Sequence, residues 1–233
     1  KLKDRLINRG SETMKYPLWY SLWNQRTFER LQKKGKILTP DVSYKGSMWK
    51  DSEGRYFYAD TSYAIIVKKN FLQYCDVIYS ILNSSMLWFY LQNTGAVQRG
   101  GFFRFKTNYL KPFPVPEIDF YYAVFFSKIV PFVSFLSEHN NDNRKIIHVF
   151  EALLDAMVYE LYLPEEIKTA GCEISKHLTD LPEFKDDWSD EKKLAVIEKV
   201  YKELSDPKHP VAIDMEKMQE IPAVKIIEGR DKE

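Results

Sequence analysis

Ile37-Leu38-Thr39-Pro40-Asp41-Val42-Ser43 decides the fold, because an apolar, β-favouring run is halted by Pro-Asp and then resumes. Proline cannot donate to a central ladder, so the run reads as a strand that ends at its edge rather than as a helix. Outward from it, Trp19 to Val67 repeats the pattern. Asp51-Ser52-Glu53-Gly54 is a turn signal, and Arg55-Tyr56-Phe57-Tyr58 and Tyr63 to Val67 are short strand-like runs. A small antiparallel sheet is expected.

Further along, Leu72 to Gln92 carries apolar residues near helical spacing and predicts one helix that stops near Gly95. Gly100-Gly101-Phe102-Phe103-Arg104-Phe105 then reads as a glycine pair leading into an aromatic, basic strand. The run Pro112-Phe113-Pro114-Val115-Pro116 fits neither helix nor central strand and marks a subdomain boundary. Beyond it the periodicity is helical. Phe120 to Leu136 predicts a buried helix kinked at Pro131, and Ile146, Phe150, Leu153, Leu154, Met157, Val158 and Leu161 form one apolar stripe. Two more helices start at Pro164-Glu165-Glu166 and Ser189-Asp190-Glu191, the second running to about Leu204. The expected organisation is an α+β protein with a small mixed or antiparallel sheet and packed helices, followed by a helical subdomain. Residues 1–15 are a linker or lead-in helix, 16–116 an α+β domain, 117–205 helical and 206–233 an extended tail.

The 233 residues balance to a net charge of +1, yet the charge is divided. Residues 1–111 hold 19 Lys and Arg against 8 Asp and Glu, a balance of +11, and residues 112–233 hold 15 against 25, a balance of −10. A basic half suits a polyanion, whereas an acidic half is solvated or docks elsewhere. No run of about 18 apolar residues and no secretory pattern occurs, so a cytoplasmic protein without a membrane partner is expected. The chain opens on Lys1 and closes on a charged tail, and it reads as a piece of a longer polypeptide. Cys75 and Cys172 have no partner at metal-ligand spacing and read as buried hydrophobes.

A methyltransferase needs a glycine-rich cofactor loop and an Asn/Asp-Pro-Pro-aromatic loop for the flipped base, and neither occurs. The acid-x-Lys triplets Glu191-Lys192-Lys193 and Glu166-Ile167-Lys168 that a metal-dependent nuclease would use fall in charged helices, where a solvated face is the ordinary explanation. His139, His148, His177 and His209 are scattered singly. No catalytic residue and no metal ligand is expected. The informative feature is aromatic residues interleaved with basic ones in Ser43-Tyr44-Lys45-Gly46-Ser47-Met48-Trp49-Lys50 and Arg99-Gly100-Gly101-Phe102-Phe103-Arg104-Phe105-Lys106. Phosphates require cations and backbone N–H groups, base edges require hydrogen-bonding side chains, and glycine permits close backbone approach. The competing reading makes Phe102, Phe103 and Phe105 core and the glycines a tight turn.

The order of these segments resembles the TaqI-like C-terminal specificity domain, the target-recognition domain of adenine-specific DNA methyltransferases and type IIG restriction-modification enzymes. Four blocks carry the likeness over residues 19–168: Ile37 to Ser43; Gly54 to Phe57 with Tyr63 to Ile66; Ile81-Leu82-Asn83-Ser84 with Leu87 to Tyr90; and Arg99 to Lys106 through Tyr109-Leu110 to Pro116. Met157 to Tyr162 with Pro164 to Ile167 resembles the closing helix pair, and residues 169–233 exceed the likeness. The resemblance implies a non-catalytic domain that grips duplex DNA, with S-adenosylmethionine and the methyl-transfer site in a catalytic domain of the same parent chain. It also implies structural roles for Pro40, Asp41, Asn83 and Pro112 to Pro116. Charge and loop position then nominate Arg99, Gly100, Gly101, Arg104 and Lys106 for phosphate and Tyr44, Lys45, Trp49, Lys50 and Arg55 for groove contact, with Ser43 as a further DNA-binding candidate. A helical protein-interaction module is the alternative.

Overall fold

The computed structural model describes residues 2–7, 28–58, 61–139 and 143–231. Trp19 and the rest of 8–27 lie outside these, so that part of the expected β-rich region and of the lead-in segment has no counterpart below. Two short helices come first, α1 (Leu2–Ile7) and α2 (Phe28–Leu31). Strand β1 (Lys36–Pro40) then forms the centre of a three-stranded antiparallel sheet. A separate strand β2 (Val42–Ser43) follows, then β3 (Trp49–Asp51) and β4 (Ser62–Ile65), which flank β1 in the order β3-β1-β4. Thr39 lies opposite Tyr63, and Pro40 opposite Ser62 at the strand end.

Arg55 to Tyr58 is not a strand. The backbone N–H groups of Arg55 and Tyr56 instead donate to the Asp51 carboxylate at 3.0 and 2.9 Å, and the same carboxylate pairs with the fully buried Lys36 ammonium. An ion pair inside the sheet is tolerable because these extra donors satisfy the remaining carboxylate lone pairs.

The helix expected over Leu72 to Gln92 is three pieces. A 3₁₀ turn at Lys69–Tyr74 leads into α3 (Cys75–Asn83), and after Ser84 comes α4 (Ser85–Thr94). Ser84 sits at φ −74°, ψ 158°, outside the helical region, and its Oγ accepts the Leu87 N–H at 3.3 Å. Serine competes with the helix by capping a new one, which apolar spacing does not reveal. Strand β5 (Phe103–Arg104) and the single turn α5 (Thr107–Leu110) complete this half.

Helices α6 (Phe120–His139) and α7 (Arg144–Tyr162) form the backbone of the second half, with Pro131 inside α6. Among the described residues α6 is the one helix long and apolar enough to cross a membrane. Phe126, Ile129, Val130, Phe132, Val133 and Leu136 are buried where it packs on α7 and α3, so core packing accounts for the apolarity. Then come α8 (Pro164–Ala170) and α9 (Asp190–Leu204), the latter capped by Ser189 Oγ accepting from Lys192 N–H.

Residues 208–231 are not an extended tail: α10 (Pro210–Gln219) and α11 (Pro222–Ile227) occupy them. Pro210 and Pro222 stand in first helical turns, where a missing N–H costs nothing, and His209 Nδ1 accepts the Val211 N–H at 3.2 Å. Val211, Met218, Ile221, Val224 and Ile227 are buried. One continuous apolar cluster runs from Ile37 of the sheet through α3, α6 and α7 to Ile227, and both cysteines are buried in or beside it.

Candidate nucleic-acid interface

Asp41 is the corner between the two sheets. Its N–H donates to Thr61 O at 2.9 Å on the β4 side, and its C=O accepts the Phe105 N–H at 2.9 Å. From this corner β2 pairs antiparallel with β5, Val42 facing Arg104 and Ser43 facing Phe103. That pairing brings together the two segments, sixty residues apart in sequence, in which aromatic and basic residues alternate.

Beyond β2 the chain turns through Tyr44 to Ser47. Ser43 Oγ donates to Lys45 O at 2.7 Å and lies 2.9 Å from Ser47 Oγ. The far end is held by Asn83 at the end of α3, whose Oδ1 accepts the Met48 N–H at 2.8 Å and whose Nδ2 donates to Met48 O at 3.3 Å. Gly46 lies so close to α3 that a Cβ there would come 2.8 Å from the Asn83 carbonyl oxygen. Facing this loop is the hairpin 97–103, closed by Gln98 N–H to Phe102 O at 2.6 Å and Gly101 N–H to Gln98 O at 3.1 Å. Gly100 and Gly101 at its tip have φ of +86° and +81°, a conformation that a residue with a Cβ adopts at a cost.

The two competing readings of Phe102 to Phe105 divide residue by residue. Phe103 and Phe105 are buried core, whereas Phe102 is 42% exposed and stands edge-on to Tyr44, itself 63% exposed, at 6.1 Å between ring centroids. Tyr44 also approaches Trp88 of α4 at 6.1 Å, and Trp88 packs on Phe103 at 5.0 Å. Neither Trp88 nor Phe102 was nominated from sequence. Phe102 carried the basic-aromatic signal but no cue to which face it would take, and Trp88 lies in a helix whose pattern reads as core.

Tyr44 therefore meets Phe102 and the Gly100-Gly101 tip beside Arg99, with Lys45 next to it in the loop, whereas Ser43 shares the face of Phe103, and Arg104, opposite Val42, stands on the other face with Lys106 beside Asp41. Arg99 and Lys45 are exposed, with no carboxylate within 4.0 Å among the described residues. Arg104 Nη1 lies 3.6 Å from Asp41 Oδ2 and Lys106 Nζ 4.0 Å from Asp41 Oδ1. Lys50 and Arg55 are not with them. Side chains alternate along β3, so Trp49 faces an open groove of about 650 Å³ beside the loop while Lys50 faces another of about 630 Å³. In that second groove Lys50 pairs with Asp76 and Arg55 with Glu138 at 3.4 Å.

The first groove runs between the loop and α7 and is lined by Tyr44, Trp49, Trp88, His148, Glu151 and Asp155. Asp155 accepts the Ser85 N–H at 2.9 Å, and burial pushes its carboxyl up to about 6. Two acids on that wall repel phosphate, so the groove itself is unsuited to a nucleic-acid backbone. No group of three metal-ligating side chains occurs among the described residues. The acid-x-Lys triplets at Glu166 and Glu191 lie apart, on α8 and α9.

The class these residues define is a basic, aromatic-edged surface on a small sheet. Residues 2–115 match the family model of the TaqI-like C-terminal specificity domain, and both segments and their β2–β5 pairing lie within the matched residues. Such a domain serves sequence-specific DNA recognition in restriction-modification systems and is in itself non-catalytic. The match ends at Val115, and the helix pair at Met157 to Ile167, which resembles the family in sequence, lies beyond it. No curated relative and no solved structure matched the chain.

Proposed function

We propose that this chain reads a duplex DNA sequence for an S-adenosylmethionine-dependent, adenine-specific methyltransferase, with or without an attached nuclease. The target adenine would be flipped into a catalytic domain elsewhere in the parent chain, which supplies the cofactor and the chemistry. The observation that carries this reading is the β2–β5 pairing. It sets the Ser43 to Ser47 loop beside the Arg99 to Lys106 hairpin inside the matched residues, with exposed cations at the rim and exposed aromatic rings between them.

Arg99, Arg104 and Lys106 take phosphate, and Gly100 and Gly101 let the hairpin backbone approach it. Ser43, Tyr44 and Lys45 reach the base edges, and Trp49 supports the loop from the groove. Lys50 and Arg55 add to the positive field from the neighbouring groove, each restrained by its ion pair. The acidic helical half, which repels phosphate, is turned to protein.

The test is binding of a labelled non-specific duplex at several salt concentrations, with a mononucleotide as control. Log affinity should fall linearly with log salt, and Arg104→Ala with Lys106→Ala should weaken binding and reduce the slope by about 2, roughly one per cation. Absence of duplex binding at low salt sinks the reading and leaves the protein-interaction module in its place.

A further inference from the structure

We propose that Asp41 is a built-in competitor for phosphate, a fixed carboxylate that holds Arg104 and Lys106 and lowers the protein's affinity for DNA of arbitrary sequence. The inference rests on the DNA-binding reading above and adds a residue to it whose role there is opposite in sign.

Asp41 cannot move away. Both its backbone groups are engaged, N–H to Thr61 O and C=O to Phe105 N–H, each at 2.9 Å, and the Tyr63 hydroxyl lies 3.5 Å from Oδ1. The two cations can move. They are held at 3.6 and 4.0 Å, longer than direct hydrogen bonds, and their side chains are 34% and 41% exposed against 21% for Asp41. Partly exposed pairs of this kind are weak and yield readily to another anion. One carboxylate is therefore shared by two cations and reduces their joint charge from two to one.

A phosphate arriving here meets that residual charge, and it meets the same charge whatever the base sequence. The carboxylate thus subtracts from the sequence-independent part of binding while leaving contacts to base edges untouched. A recognition protein competes with roughly 10⁶–10⁹ non-specific sites in a genome, so lowering that part raises the share of binding that depends on sequence. Fixing the acid at the corner between the sheets also keeps both cations beside β2 and β5.

Asp41→Asn preserves shape and removes the charge. In the whole chain, on a labelled non-specific duplex between 50 and 300 mM salt, it should tighten binding by roughly tenfold at the low end and steepen the salt slope by about 0.9, one phosphate's worth. In the Arg104→Ala, Lys106→Ala background the same change should do far less. Unchanged or weaker binding by Asp41→Asn, at an unchanged melting temperature, overturns the proposal, as does an equal gain in both backgrounds, which would mark a general charge effect. If Asp41→Asn melts early, Asp41→Ser, which also lacks the charge, decides by the same criteria. Wild-type binding is scored separately: if neither wild type nor variant binds at 50 mM salt, the DNA reading fails and takes this one with it, whereas a binding wild type with an unresponsive variant overturns this one alone.

Discussion

At the scale of single residues, the sheet depends on a buried charge. Lys36 is fully buried and its ammonium meets Asp51, which also accepts two backbone N–H groups. Burial alone would raise the Asp51 carboxyl, but the Lys36 hydrogen bond and the Tyr56 and Arg55 N–H groups outweigh it and hold it below the ordinary value of 3.8. Asp51→Ala should cost about 3–5 kcal/mol at pH 7, because it strands a buried ammonium. The sign with pH follows from the lowered folded value. The stabilisation is complete above the unfolded carboxylate's range and is lost as pH falls through the folded one, so urea melts at pH 7 and pH 3 should show the gap between variant and wild type narrowing in acid. Equal gaps at both would refute the assignment. None of this was legible in sequence: the strand-like run begins at Ile37, just past the lysine, and the partner lies fifteen residues on in what reads as a turn.

At the scale of elements, the runs at Ile37 and Tyr63 read correctly as strands while Arg55 to Tyr58 did not, and helices read correctly where a stripe or a start signal marked them. Apolar spacing placed α7, which packs one face on the common core, and the start signals at Pro164 and Ser189 placed α8 and α9. Apolar spacing missed the break at Ser84, where a polar side chain ends one helix and caps the next, and an extended tail was expected in place of α10 and α11, whose prolines stand at helix starts. The nominated loop and hairpin were visible as composition, but not their adjacency, which arises from two strands of two residues each. Nor was it visible that Lys50 and Arg55 would face elsewhere. The loop depends most on Asn83. Asn83→Ala removes both partners of the Met48 backbone and should cost about 1–3 kcal/mol. Hydrogen exchange gives the sharper readout: protection of the Met48 amide should collapse while amides of α6 and α7 keep theirs. Retained protection at Met48 would show that the loop holds itself.

At the scale of the whole molecule, the apolar cluster does not stop where the family match stops. It passes from the sheet through α3 into α6 and α7 and ends on α10 and α11, where Tyr159 of α7 donates to Glu228 at 3.1 Å. Removing residues 206–233 would expose the cavity filled by Val211, Met218, Ile221, Val224 and Ile227, worth about 7 kcal/mol or more at the usual value per buried side chain. That is comparable to the entire stability of a typical domain, so the truncated chain should lose its cooperative thermal transition. A truncated chain that melts like the full one would show these helices to be dispensable. The clamp at Met48 has another consequence. Tyr44 to Ser47 are anchored at one end by the β2–β5 backbone pairing and at the other by Asn83 gripping a main-chain amide and carbonyl, so neither anchor depends on which side chains lie between them. With Gly46 kept for its tight fit against α3, positions 44, 45 and 47 form an interchangeable cassette, and under the proposed DNA-reading role libraries randomised there would search for new target preferences without renegotiating the fold.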